Sequence, residues 1–414
     1  MQVGLQAALS DANLDAMQPS SQRQVAVSIS AIADTPGLTA PLNLCLILDH
    51  SGSMSGRALE TVKQATHRIV DSLAPGDRLS IVVFDHNAKV LVPNQVIDNP
   101  AAVKVQINRL QPSGGTAIDE GMRLGIEELA KGKQETISQA FLLTDGENEH
   151  GSNERCLKLA KLAADYNLTI NTLGFGDHWN QDILEKIADA AGGTLAYIQT
   201  PEDAVAEFER LLSRVQAVGL TNAFLLMKLM PHVRLAELKP VAQVVPETIE
   251  LPVMQEDEYY VVRLGDLMVD TPRVALVNLY AGQFPPGKHP LLQLQVRYDD
   301  PARRREGLVT NPITVEANVL SAFLSDSNPQ VQQHVLALAK YRQTQIAEQK
   351  LQQGDRAGAA TMLQSAAKTA LQMGDQNAAT VLQENATRLQ SGEELSESDR
   401  KKTRLVSKTT LQGL

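Results

Sequence analysis

Leu42-Asn43-Leu44-Cys45-Leu46-Ile47-Leu48 runs straight into Asp49-His50-Ser51-Gly52-Ser53, and this join decides how the chain is read. The apolar run is nearly continuous, the pattern of a strand buried on both faces of a parallel sheet. Where it ends, a carboxylate and two hydroxyls follow at alternate positions, 49, 51 and 53. A tight turn there lets the three oxygens converge, with Gly52 and Gly56 relieving the backbone. Leu59, Val62, Ile69 and Leu73 then recur at helical spacing. Strand, oxygen-rich loop and helix place hard ligands at the carboxyl edge of an α/β sheet, where such folds bind ligands.

Two later stretches point to the same edge. Ser113-Gly114-Gly115-Thr116 precedes an amphipathic helix and offers the hydroxyl of Thr116. Phe141-Leu142-Leu143-Thr144-Asp145-Gly146 is a second buried strand ending in a carboxylate. Every donor is an oxygen, and His50 is the one imidazole nearby. That chemistry suits Mg²⁺; Mn²⁺ and Ca²⁺ stay open, since ligand softness excludes only thiophilic metals. The series D-x-S-x-S, G-G-T, T-D-G resembles the von Willebrand factor A (VWA) family and its metal-ion-dependent adhesion site (MIDAS), with all five positions present.

The resemblance covers about residues 40 to 215. It implies that Asp49, Ser51 and Ser53 are core metal ligands, Thr116 a switchable ligand and Asp145 an outer anchor acting through water. Asp85, Gly115 and Gly146 are candidates for the layer behind those ligands. Asp85 reads equally well as a charged residue opening a surface loop. Helix capping explains one of the serines. It explains neither Thr116 nor Asp145.

Outward from this centre, strands and helices alternate, which predicts an α/β, doubly wound, mostly parallel sheet over 40–215. Helices are expected at about 57–73, 118–129, 154–166, 182–190 and from Pro201 to near Arg214. Gly174-Phe175-Gly176 lacks a dinucleotide fingerprint and reads as a tight strand exit. Asp119, Glu147, Glu149 and Asp177 make the metal edge acidic. Over 216–320 the helix signal stops, and short apolar runs separated by Pro285-Pro286-Gly287 and Asp299-Asp300-Pro301 predict an antiparallel β-sandwich. In residues 1–39, Val25-Ala26-Val27-Ser28-Ile29-Ser30-Ala31 alternates strictly, and Thr35-Pro36-Gly37 turns the chain into the central strand. These N-terminal strands are expected to join the sandwich, so that the α/β domain is an insertion within it. Residues 321–392 predict a helical hairpin or bundle, broken at Gly354-Asp355 and Gly374-Asp375. Residues 393–414 lack apolar periodicity and predict a flexible basic tail, in which Thr403 is a candidate phosphosite for a phosphopeptide reader. A plain solvated terminus reads that tail as well.

Composition narrows the function. The 414 residues carry a formal charge of −10 and only 4% aromatics, which argues against a basic or stacking nucleic-acid surface. Two cysteines, Cys45 and Cys156, make no disulfide framework. No stretch reaches the ~18 apolar residues of a membrane span, and Met1-Gln2-Val3-Gly4-Leu5 is no export signal, so a cytoplasmic protein is expected. The resemblance implies a non-enzymatic scaffold whose Mg²⁺ grips a partner's Asp or Glu, with partner exchange coupled to Thr116 and the helix ending near Arg214. Rival readings are an accessory subunit of a motor ATPase, like the A-domain subunits of magnesium chelatase, and a Mg²⁺-dependent hydrolase with His50 as base. Neither a Walker loop nor a Ser-His-Asp context supports the hydrolase.

Overall fold

Leu44, Leu46 and Leu48 face one side of the central sheet while Cys45 and Ile47 face the other, and all five are buried. A strand covered on both faces needs helices on both, and the computed structural model has them. It describes residues 1–33, 39–176, 178–269 and 271–409; the Thr35-Pro36-Gly37 turn and Asp177 lie outside the described residues. The chain opens with β1 (Gln2–Leu9), β2 (Asn13–Asp15) and β3 (Ser20–Ile32). The α/β domain follows as β4 (Leu42–Asp49), α1 (Arg57–Ser72), β5 (Arg78–Phe84), β6 (Ala88–Val96), α2 (Pro100–Asn108), α3 (Ile118–Lys131) and β7 (Ile137–Thr144). It closes with α4 (Asn153–Asp165), β8 (Thr169–Phe175), α5 (Gln181–Ala191), β9 (Leu195–Ile198) and α6 (Pro201–Gln216).

The sheet order is β6-β5-β4-β7-β8-β9, parallel except for the edge strand β6. Helices α1, α2 and α6 cover one face and α3, α4 and α5 the other. Chain order reverses at β4, which lies between β5 and β7. The carboxyl ends of β4 and β7 therefore flank the crevice where doubly wound sheets place their sites. Cys45 and Cys156 are both free and buried.

The remaining strands are β10 (Val218–Leu229), β11 (Val233–Leu235), β12 (Val241–Val245), β13 (Ile249–Leu251), β14 (Met254–Glu256), β15 (Tyr259–Met268), β16 (Arg273–Gly282), β17 (Gly287–Asp300), β18 (Arg305–Val309) and β19 (Ile313–Leu320). They form two antiparallel-rich sheets, β1-β3-β16-β12-β13 with β11, and β14-β15-β10-β17-β19-β2 with β18. Val25, Val27 and Ile29 of one pack against Leu225, Val262 and Leu294 of the other. β3 pairs with β16 from Ile29↔Arg273 to Ser20↔Gly282, so strands on either side of the α/β domain complete one sheet. Where the chain leaves and rejoins the sandwich, a β-carbon on Gly219 would stand 3.2 Å from that of Ala31. The α/β domain is thus an insertion with neighbouring crossing points.

Helices α7 (Pro329–Gln352), α8 (Arg356–Gln372), α9 (Gln376–Gln390) and α10 (Glu397–Lys408) follow. Gly354 and Gly374 break the helices at positive φ (80° and 79°), and Asp355 and Asp375 then cap the next ones. Val331, Leu338 and Tyr341 of α7 seal the outer face of the first sheet over Ala242, Val244 and Leu276. Among the described residues no helix is long and apolar enough to cross a membrane.

The expected flexible tail is wrong. Residues 397–408 form α10, started by a Ser396–Asp399 capping box. Its buried residues include Lys401, Thr403, Ser407 and Lys408, so it docks by charge rather than by an apolar stripe. Lys401 lies 4.2 Å from the centre of the Trp179 ring. Arg404 pairs with Asp182 and Glu348, and Lys408 with Glu185 at 2.7 Å and Asp189 at 3.0 Å. Thr403 is likewise no exposed phosphosite: it is buried and accepts a 2.7 Å hydrogen bond from Asn385.

Candidate functional site

Backbone hydrogen bonds draw the loops after β4 and β5 together with the segment before α3. His50 N–H donates to Phe84 O (2.9 Å), Ser113 N–H to His50 O (2.9 Å), Gly52 N–H to Gly114 O (3.0 Å) and Ala117 N–H to Asp85 O (2.7 Å). The Gly114 position is crowded: a β-carbon there would stand 2.2 Å from His86 Nδ1. Gly115 is bare for the same reason, since a β-carbon would meet His150 Nε2 at 2.3 Å.

Within this frame the oxygens of Asp49, Ser51, Ser53 and Asp145 form a connected chain. Asp49 Oδ1 accepts from Ser51 N–H at 2.8 Å and Oδ2 from Thr144 Oγ1 at 2.5 Å. Ser51 Oγ and Ser53 Oγ are 3.0 Å apart, and Ser53 Oγ donates to Asp145 Oδ1 at 2.7 Å. Thr116 reaches the group across Gly146: a β-carbon there would stand 3.2 Å from Thr116 Oγ1 and 4.0 Å from Ser53 Oγ. Asp49, Ser51 and Thr116 are buried while Ser53 is exposed, so the floor is buried and the mouth open.

Burial pushes the Asp49 carboxyl up to about 6, against the hydrogen bonds from Thr144 and Ser51, and nearby Asp145 pushes the same way. Burial also raises Asp145, opposed by the Ser53 hydroxyl. Two carboxyls whose charged forms are disfavoured, joined by hydroxyls and opening to solvent, are a donor set fitted to a hard cation. Among the described residues no group of three or more His, Cys, Asp or Glu is placed to hold a metal. A cation here would thus rely on the hydroxyls.

Asp85 sits behind this group. Its Oδ1 accepts from Asn87 N–H at 2.8 Å, and its Oδ2 lies 4.0 Å from His50 Nε2. The other His50 nitrogen, Nδ1, is 3.0 Å from Gln111 O. His50 is not alone at this edge. His86 and His150 stack edge-on at 6.4 Å over the Gly114-Gly115 turn, and His178 acts electrostatically on Asp145. These imidazoles come from three loops far apart in sequence, so no local spacing marks them. Asp119 is engaged by Arg155 at 3.2 Å.

Comparison with known proteins agrees with this architecture. Residues 43–210 match the family described as von Willebrand factor type A domain, and residues 329–413 the Sll0103-like, C-terminal alpha-helical domain. The uncharacterized protein sll0103 of Synechocystis sp. is 58% identical over 412 residues, covering 100% of this chain and 98% of its own. Human inter-alpha-trypsin inhibitor heavy chain H4 is 30% identical over 198 residues, but the match spans only 44% of this chain and 21% of that protein. Among solved structures, a von Willebrand factor type A protein from Catenulispora acidiphila superposes with a TM-score of 0.81 at 18% identity, covering 99% of this chain and 97% of its own. The ArnB paralog VWA2 from Sulfolobus acidocaldarius does so at 0.58 and 14%, covering 98% and 97%. Fold and sequence together define a VWA-domain protein with a sandwich host and helical appendage. More narrowly, the chain belongs to the sll0103-like family of von Willebrand factor type A proteins.

Proposed function

We propose that the chain is a divalent-metal-dependent protein-binding scaffold. The observation that carries this reading is the convergence of Asp49, Ser51, Ser53 and Asp145 into one hydrogen-bonded group beside Thr116, at the carboxyl edge of β4 and β7. In it Asp49, Ser51, Ser53 and Thr116 hold Mg²⁺, and Asp145 anchors the group through Ser53. Bound there, the ion supplies Lewis acidity that three uncharged hydroxyls leave largely unquenched. The exposed mouth at Ser53 admits an acidic side chain of a partner, whose carboxylate completes the binding set.

The chain's own residues do the positioning. Thr144 holds one Asp49 oxygen and the Ser51 amide the other, so this carboxylate keeps one orientation. Ser53 is held toward Asp145, and the Gly146 backbone leaves room for Thr116. Calorimetric titration with Mg²⁺ tests the metal half, with one site expected in the native chain and none in Asp49→Ala. Capture from the source cell's lysate in Mg²⁺ and in chelator tests the partner half. Partners that survive both chelation and Asp49→Ala would sink the reading.

A further inference from the structure

A cleft of about 1180 Å³ opens where the VWA domain, the sandwich and α7 meet, away from the metal edge. Its walls carry Arg214 at the end of α6, Arg263 on β15 and Arg273 on β16, with Lys161, Lys186 and Lys239 beside them. Three acids, Asp189, Glu237 and Glu250, also line it, and each is already engaged. Lys408 holds Asp189 at 3.0 Å, Arg234 lies 3.5 Å from Glu237, and Glu250 is paired with Lys239 and, at 3.0 Å, with Arg342.

The three arginines are not paired in the same way. Arg214 has one loose partner, Glu247, at 3.8 Å. Among the described residues Arg263 and Arg273 have no carboxylate within 4 Å; they bond instead to neutral groups. Arg263 Nη2 donates to Ala164 O at 3.1 Å, and Arg273 Nη2 to Asp266 O at 2.9 Å, with Nη1 on Gln243. Arg273 Nε is buried without a partner. The Asp266 carboxylate between them in sequence is held by Gln139 at 2.6 Å and Thr169 at 2.9 Å, and it acts on both arginines through space without contacting either guanidinium. Arginines that merely cement an interface would be expected to face carboxylates across it. Arg214 meets that expectation only loosely, through Glu247, and Arg263 and Arg273 touch no carboxylate among the described residues: burial, and then the charge of Arg214, brings Arg273 down to about 10, against the longer-range pull of Asp266 and Glu247. In a chain of formal charge −10, six cations thus line one cleft with three acids, and those acids are already engaged.

The wall facing the arginines differs. Leu251, Pro252, Val253, Met254 and Tyr260 give it an apolar surface, and Met254 is exposed. Charged groups at one end and an apolar wall at the other select an amphipathic ligand. We propose that the cleft binds a small organic anion, its phosphate or carboxylate on Arg214, Arg263 and Arg273 and its apolar body against Leu251, Val253 and Met254. The site is independent of the metal edge.

The test titrates the full chain with anilinonaphthalene sulfonate, an aromatic body with one anionic group, followed by fluorescence. Adenosine monophosphate is the competitor in one arm and octanoate in the other. Saturation at one site is expected, with displacement in one arm identifying phosphate or carboxylate as the preferred head. Arg273→Gln should weaken binding about tenfold, the loss of one charge-assisted contact. Lys161→Ala with Lys186→Ala, both exposed, should weaken it about threefold and flatten its salt dependence. If Arg273→Gln does not fold, the lysine pair decides. Failure of both competitors, or unchanged affinity in the lysine variant, overturns the proposal.

Discussion

Asp49 is a carboxylate at 0% exposure, held by a hydroxyl and an amide and facing a second carboxylate through two serines. Asp49→Asn keeps the volume and the acceptor for the Ser51 amide, and its NH2 can donate to the Thr144 hydroxyl, but it removes a charge that burial disfavours. In chelator this variant is expected to melt at or above the native temperature. Saturating Mg²⁺ should stabilise the native chain by about 2.7 kcal/mol at a hundred times the dissociation constant and the variant by nothing. Melting curves in chelator and Mg²⁺ check both halves. Thr403 behaves oppositely, because its hydroxyl is committed to Asn385. Thr403→Val should cost about 1 kcal/mol, the loss of one buried hydrogen bond from an amide that keeps its bond to Asp399 O; Thr403→Glu should cost more, and urea unfolding measures either. The five oxygen positions were legible because each closes a local pattern of strand and turn. Thr403 was not, since its burial is made by α9, a separate element.

At the scale of elements, α10 shows what periodicity misses. Its inward side is lysine, threonine and serine around a single buried apolar residue, Val406, and its partners are acids on α5 and α7, so no hydrophobic stripe marks it. Arg404→Ala removes the link to Asp182 and Glu348 and should destabilise the docked helix by about 1–3 kcal/mol, the cost of a partly buried charged contact. Faster amide exchange confined to α10 is the expected readout. Helix α2 was missed for another reason: Val103, Val105 and Ile107 alternate like a strand, yet only Val103 and Ile107 are buried, four apart. The Asn99-Pro100 start was the better signal, with Asn99 accepting from Ala102 N–H at 3.1 Å. On α7, burial holds His334 below its ordinary 6.5, so the fold favours the neutral ring. Its contribution to stability is present above about pH 6.5 and declines as pH falls below that value, where the unfolded chain takes up the proton first. Melting temperature from about pH 7.5 to 5.5 should fall less steeply in His334→Gln than in the native chain.

For the whole molecule, the informative feature is the insertion. Both the alternation at 25–31 and the end of helix signal near 216 are local, so the division of the chain could be read from sequence. The pairing of β3 with β16 rests on a match between distant strands and became visible only in three dimensions. Because the crossing points lie side by side at Ala31 and Gly219, residues 40–217 should fold when excised. Circular dichroism and a Mg²⁺ titration of that fragment are expected to reproduce its helical content and its single site. The same pairing fixes an order of events on the ribosome. The inserted sheet is complete once β9 and α6 have emerged, whereas Val25 waits for Val277. Until then β1 and β3 trail as a two-stranded ribbon with an open edge, the kind of surface nascent chains join by mistake. The host is therefore younger than its guest in every molecule synthesised, and a pause in translation once α6 has cleared the ribosome would leave a finished VWA domain with its sandwich still unborn.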